Sequence, residues 1–143
     1  MPFIDAVCIY GETRNFTTSL LVLMNPDDTS DTYVVRNGEK FVPLDLSNFA
    51  IKFKVLGSAT ADAEVLVEHL ITQITNIETE GQITDATNGE FTFTVSADDT
   101  RALGLGQHPI MLELVDVDTL EHIDTITEGG KNGEYNKIFV VQV

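Results

Sequence analysis

The side chains able to carry chemistry are scattered along this chain. His69, His108 and His122 stand far apart with no HxH or HxxxH spacing. A metal ion needs convergent donors, so each reads as a surface or half-buried histidine. Ser and Asp are plentiful, but there is no GxSxG, and nothing local supplies the base and orienting group that a nucleophile requires. Gly104-Leu105-Gly106 lacks the third glycine of a dinucleotide fingerprint and follows a helical stretch, so it is no phosphate loop. Asp116, Asp118 and Asp124 could set oxygens around one turn, and Asp27, Asp28 and Asp31 around another. Calcium takes roughly six to eight oxygens, the EF-hand spacing is absent, and Asp commonly bonds its own turn backbone. Both clusters therefore read as turn chemistry. The residue types predict no catalytic residues, no metal site and no cofactor.

Cys8 is the only cysteine, which rules out an intrachain disulfide. In an apolar stretch it reads as a small buried hydrophobe. A reactive thiolate needs electropositive surroundings, and the chain offers few: 23 acidic residues against 8 basic give a net charge of −15. That charge opposes a phosphate backbone, whose binding is driven by Lys and Arg, and it opposes anionic membranes. The expectation is no nucleic-acid partner and no membrane partner. The start, Met1-Pro2-Phe3-Ile4-Asp5, has neither a basic region nor a long apolar stretch, so no signal peptide is read there. The longest apolar run, Leu20 to Met24, is too short to span a bilayer. A soluble product of a reducing compartment is expected.

The elements that would position these residues are strands. The 143 residues suit a single domain with an extra arm, and 43% of them are hydrophobic. A chain of this size buries roughly 70% of its unfolded surface and needs no disulfide or metal to hold together. Residues 49–56 alternate: Phe49, Ile51, Phe53 and Val55 share one face, with Lys52 and Lys54 on the other. Phe91, Phe93 and Val95 alternate with Thr92 and Thr94, and Ile110, Leu112 and Leu114 with Met111 and Glu113. Further strands are read at 16–24, 32–36, 40–44, 122–127 and 137–143. Asn37-Gly38 marks a hairpin, and Pro43 an edge or a strand end. Residues 64–77 fit either a strand or a helix face, and their β-branched content favours strand. One short helix is predicted near residues 97–103: Ser96 caps the amide of Asp99, Asp98 and Asp99 suit its positive end, and Leu103-Gly104 stops it.

About eight to nine short strands at regular spacing predict an all-β fold, an antiparallel β-sandwich with one short helix. Residues 16–143 form its single domain. Residues 1–15 read as an N-terminal arm, ending at Gly11-Glu12-Thr13-Arg14-Asn15. Its apolar residues Phe3, Ile4, Val7, Ile9 and Tyr10 are the candidate assembly contacts. Such an arm either folds back on its own domain or adds to a neighbouring subunit. The neighbour is the expectation taken here.

The order of several pieces is similar to a known family. Pro43-Leu44-Asp45-Leu46-Ser47 leads into the Phe49–Val55 strand. Asn88-Gly89-Glu90-Phe91 opens the strand before Ser96-Ala97-Asp98-Asp99-Thr100. Leu103-Gly104-Leu105-Gly106 leads into Ile110–Leu114 and Val115-Asp116. Over about residues 40–127 this resembles the N-terminal immunoglobulin-like domain of phage upper baseplate proteins and related tail or fibre-attachment proteins. The resemblance implies an immunoglobulin-like sandwich and a non-enzymatic scaffold in a virion, made in the host cytoplasm. It implies other virion proteins as partners and a homo-oligomer in the assembled particle. A capsid decoration protein and a monomeric carbohydrate- or ligand-binding sandwich are the alternatives. Exposed aromatics would favour the latter, since sugar faces stack on them, but Trp is absent and Tyr numbers three.

Overall fold

A computed structural model describes residues 5–29, 31–58, 62–126 and 136–143. The alternation of Phe49 to Leu56 makes β6 (Phe49–Leu56) a central strand, with Ile51, Phe53 and Val55 fully buried. On one side lies β7 (Val65–Ile71), on the other β10 (Gly106–Asp116), both antiparallel. The far edge of β10 carries β11 (His122–Thr125) and, further along, β12 (Lys137–Val141). Beyond β12 runs β1 (Asp5–Ile9), in parallel. The order is therefore β1-β12-β10-β6-β7, with β11 beside β10. Residues 64–77 resolve as the strand favoured by β-branching, which stops at Ile71.

A second sheet has the order β2-β9-β8, built from β2 (Arg14–Ser19), β9 (Glu90–Val95) and β8 (Gly81–Asp85). Phe91, Phe93 and Val95 point into the core, where the Phe93 ring meets Phe53 of the first sheet and stacks on Phe16 at 5.1 Å between centroids. Thr92 and Thr94, on the other face of β9, are buried too. They tolerate burial because their hydroxyls are bonded: Thr92 to the Thr17 hydroxyl at 2.7 Å, Thr94 to the Ile77 carbonyl at 2.6 Å. Gly81 has φ +120°, and a Cβ there would stand 2.3 Å from the Thr92 carbonyl oxygen, so the start of β8 admits only glycine.

Helix α1 (Ala97–Leu103) joins β9 to β10. Its capping box is complete: the Ser96 hydroxyl accepts from the Asp99 amide, and the Asp99 carboxylate accepts from the Ser96 amide. Residues 97–103 are the span expected for the helix.

A third, smaller sheet stands between β2 and β6 in the chain. It comprises β3 (Leu21–Leu23), β4 (Val34–Arg36) and β5 (Glu39–Pro43), ordered β3-β5-β4. The β4–β5 turn is Asn37-Gly38, both with positive φ (53° and 78°), as a two-residue hairpin requires. The run expected as one strand over 16–24 is two strands. The break falls at Leu20, whose side chain is buried and whose backbone serves the junction instead: its amide donates to the Gly89 carbonyl and its carbonyl accepts from the Leu44 amide.

The N-terminal boundary also differs from the expected arm of residues 1–15. Residues Asp5–Ile9 pair with Lys137–Val141 of the same chain, and the Tyr10 amide donates to the Val141 carbonyl. Arg14 and Asn15 already belong to β2. The physical reason is that β12 has an open edge to fill, and Cys8 a place in the core, where it is fully buried.

Candidate interaction surface

Unlike the other two, the small sheet has no fully buried residue; Leu21, Val22, Phe41, Val42 and Pro43 are half-buried and the rest exposed. Directly opposed residues on neighbouring strands point to the same side. Leu23 and Val34 both oppose Phe41 and share one face with it; Val35 opposes Lys40 on the other. Leu23 is 60% exposed and Val35 is 58% exposed, one on each face. Val34 and Tyr33 are exposed beside them, and Lys40 places its ammonium 4.6 Å from the Tyr33 ring centroid. All three residues of β4, the outer strand, are exposed. A three-stranded sheet with apolar residues solvated on both sides presents surface that recruits partners.

The sheet is held at its base. The Leu20, Leu44 and Leu46 amides donate to Gly89, Leu20 and Ala86 carbonyls at 2.8–3.0 Å. Gly89 has φ +68°, and a Cβ on it would stand 2.7 Å from both the Leu20 and Leu44 carbonyl oxygens. The Asn88-Gly89 turn of the second sheet is thereby the socket into which both ends of the small sheet fit.

The assembly residues expected from the sequence divide. Phe3 and Ile4 lie outside the described residues. Val7 and Ile9 lie on the outermost strand of the first sheet, 43% exposed and half-buried, and Tyr10, 41% exposed, follows directly after it. They form a second apolar edge, separate in sequence from the small sheet, which the sequence reading did not single out.

The chemistry-bearing residues are placed as follows. Among the described residues, no three of His, Cys, Asp or Glu converge as a metal site. The Asp116 carboxylate accepts from the Asp118 and Thr119 amides, which hold it below the usual carboxylate range, and Asp45 does the same through the Ser47 hydroxyl and amide. Burial pushes the Cys8 thiol up to about 11, against the pull of Arg14. His108 Nε2 lies 3.0 Å from the Gly104 carbonyl, where it steadies the entry to β10.

His69 is not a lone histidine. Its Nε2 lies 2.7 Å from Asp99 Oδ2 and both side chains are largely buried. The carboxylate can only accept, so Nε2 donates. The contact ties the N-terminus of α1 to β7. Burial alone would raise the Asp99 carboxyl; the bonds from His69 and from Ser96 outweigh it and hold it below its usual value.

No protein-family model matches the chain, and no curated protein matches it.

Proposed function

We propose that this chain is a non-enzymatic structural component of a bacteriophage particle, at a tail, baseplate or fibre-attachment position. It acts through protein–protein assembly, with further copies of itself and with other virion proteins, after synthesis in the host cytoplasm. The observation that carries the reading is the small sheet β3-β5-β4, which leaves Leu23, Tyr33, Val34 and Val35 exposed while its base is locked onto the sandwich. Solvated apolar residues on a firmly anchored projection suit contact with another protein better than they suit solubility.

The strand order lends support to the immunoglobulin-like part of the reading. With β2, β6, β7, β8, β9, β10 and β12 lettered B, C, C′, D, E, F and G, the sheets read B-E-D and G-F-C-C′, which are immunoglobulin neighbours. The resemblance of residues 40–127 to phage baseplate and fibre-attachment domains supplies the particle. The acidic surface sets the terms of assembly: copies with a net charge of −15 repel one another, so association should strengthen as salt screens them.

The test is cross-linking of a mixture of isotopically light and heavy chains with an amine-reactive reagent. Lys40, exposed on the small sheet, should give links between light and heavy chains. Links confined within single chains would refute self-assembly through this sheet.

A further inference from the structure

Where the β4–β5 hairpin approaches the end of β2, the surface is concave. A cleft of about 270 Å³ opens there, lined on one side by Thr18 and Ser19 at the end of β2 and on the other by Arg36, Asn37 and Glu39 at the hairpin tip. Leu21 and Phe41, both half-buried, supply its apolar lining. The five polar side chains make no hydrogen bond or ion pair with any described residue; Arg36 and Glu39, although opposed across the hairpin, form no salt bridge. Ser19, Arg36, Asn37 and Glu39 are exposed donors and acceptors beside an aromatic and an aliphatic side chain, and Thr18 is half-buried next to them.

We infer that this cleft binds a pyranose ring. The composition of the lining selects the ligand class. A sugar hydroxyl both donates and accepts, and vicinal hydroxyls are met by side chains that offer both functions in one plane. Arg36 donates, Glu39 accepts, and Asn37, Thr18 and Ser19 do either. A simple anion would be drawn to Arg36 but repelled by Glu39 and by the acidic chain around it. A wholly apolar ligand would cover the exposed Ser19, Arg36, Asn37 and Glu39 without giving them partners. The Phe41 ring and the Leu21 side chain suit the C–H face of a pyranose, which packs on apolar and aromatic surfaces. A cleft of this volume admits a single ring. The site lies on the face of the small sheet that carries Leu23, Val34 and Phe41, opposite Val35.

The experiment is a titration of the intact 15N-labelled chain with methyl glycosides of glucose, galactose, mannose and N-acetylglucosamine, followed by amide shifts. At least one glycoside should move the amides of Thr18, Ser19, Leu21 and Arg36 to Phe41 at millimolar concentration. Arg36→Ala and Glu39→Gln should each weaken that binding by about ten-fold or more, with the spectrum otherwise unchanged because both residues are exposed. An oligosaccharide ending in the same unit distinguishes the source: tighter binding than the glycoside marks a chain-terminal sugar, equal binding a free one. No shift with any glycoside, shifts elsewhere on the protein, or sodium acetate moving the same amides with Glu39→Gln strengthening it would each overturn the inference.

Discussion

The Phe53 and Phe93 rings lie 5.0 Å apart, centroid to centroid, and tilted by 40°, one from β6 of the first sheet and the other from β9 of the second. They are where the two sheets meet, and aromatic pairs at this separation contribute beyond the area they bury. Phe53→Asp or Phe93→Asp would place a carboxylate without a partner between the sheets, at a cost of several kcal/mol. Urea unfolding should show either variant largely unfolded or with its midpoint far lower. A midpoint near that of wild type would mean that the two faces do not share a core.

Gly89 should be irreplaceable for a different reason. Its positive φ and the two carbonyl oxygens at 2.7 Å from a would-be Cβ leave alanine no room. Gly89→Ala is expected to lower stability by about 2 kcal/mol or more. Amide exchange should speed up first at Leu20, Leu44 and Leu46, which the socket holds. Gly38→Ala, where no atom lies near the added Cβ, carries only the backbone strain. Equal losses in the two variants would show that Gly89 is not the anchor of the small sheet.

The His69–Asp99 contact sets an acid limb. A carboxyl held lower in the folded chain than in the unfolded one adds stability above its ordinary value of 3.8 and loses it as pH falls through the folded value. Asp99→Asn should therefore be less stable than wild type at neutral pH. The gap should close as the pH drops below about 3.8. Melting temperatures measured from neutral into acid would reveal it, and a gap independent of pH would assign the loss to packing alone.

The N-terminal strand is expected to matter for folding as well as for contact. Removing residues 1–13 would strip β1 from β12 and empty the space filled by Cys8. The cost is expected to be about 3 kcal/mol, as for other core deletions. A truncated chain with unchanged thermal stability would return these residues to the role of a free arm.

Much of the sandwich is legible in the sequence wherever a single strand carries its own signal. Phe49 to Val55 alternates because one of its faces is core, and Ser96 with Asp99 caps a helix by local chemistry alone. What depends on distant partners is hidden. Gly81–Asp85 holds one strong apolar residue, Ile83, so β8 has no period to detect; it is a strand because β9 lies beside it. Asp5–Ile9 finds its neighbour at the opposite end of the chain, and no local pattern foretells a parallel pairing with Lys137–Val141. Leu20 to Met24 reads as one run because the break at Leu20 is made by Gly89 and Leu44. The His69–Asp99 pair left one clue. His69 shares its strand face with Val67 and Ile71, and a histidine on an inward face calls for a partner.

Sedimentation velocity of the purified chain, at low and at moderate salt, tests the assembly reading most directly. The wild type should show concentration-dependent association that strengthens with salt. The double variant Leu23→Asp, Val35→Asp, with one change on each face of the small sheet, should remain a monomer while melting within about 1 kcal/mol of wild type, as exposed substitutions do. A wild-type chain that sediments as a monomer at every concentration and salt, or a double variant that associates just as well, would contradict self-assembly through this sheet.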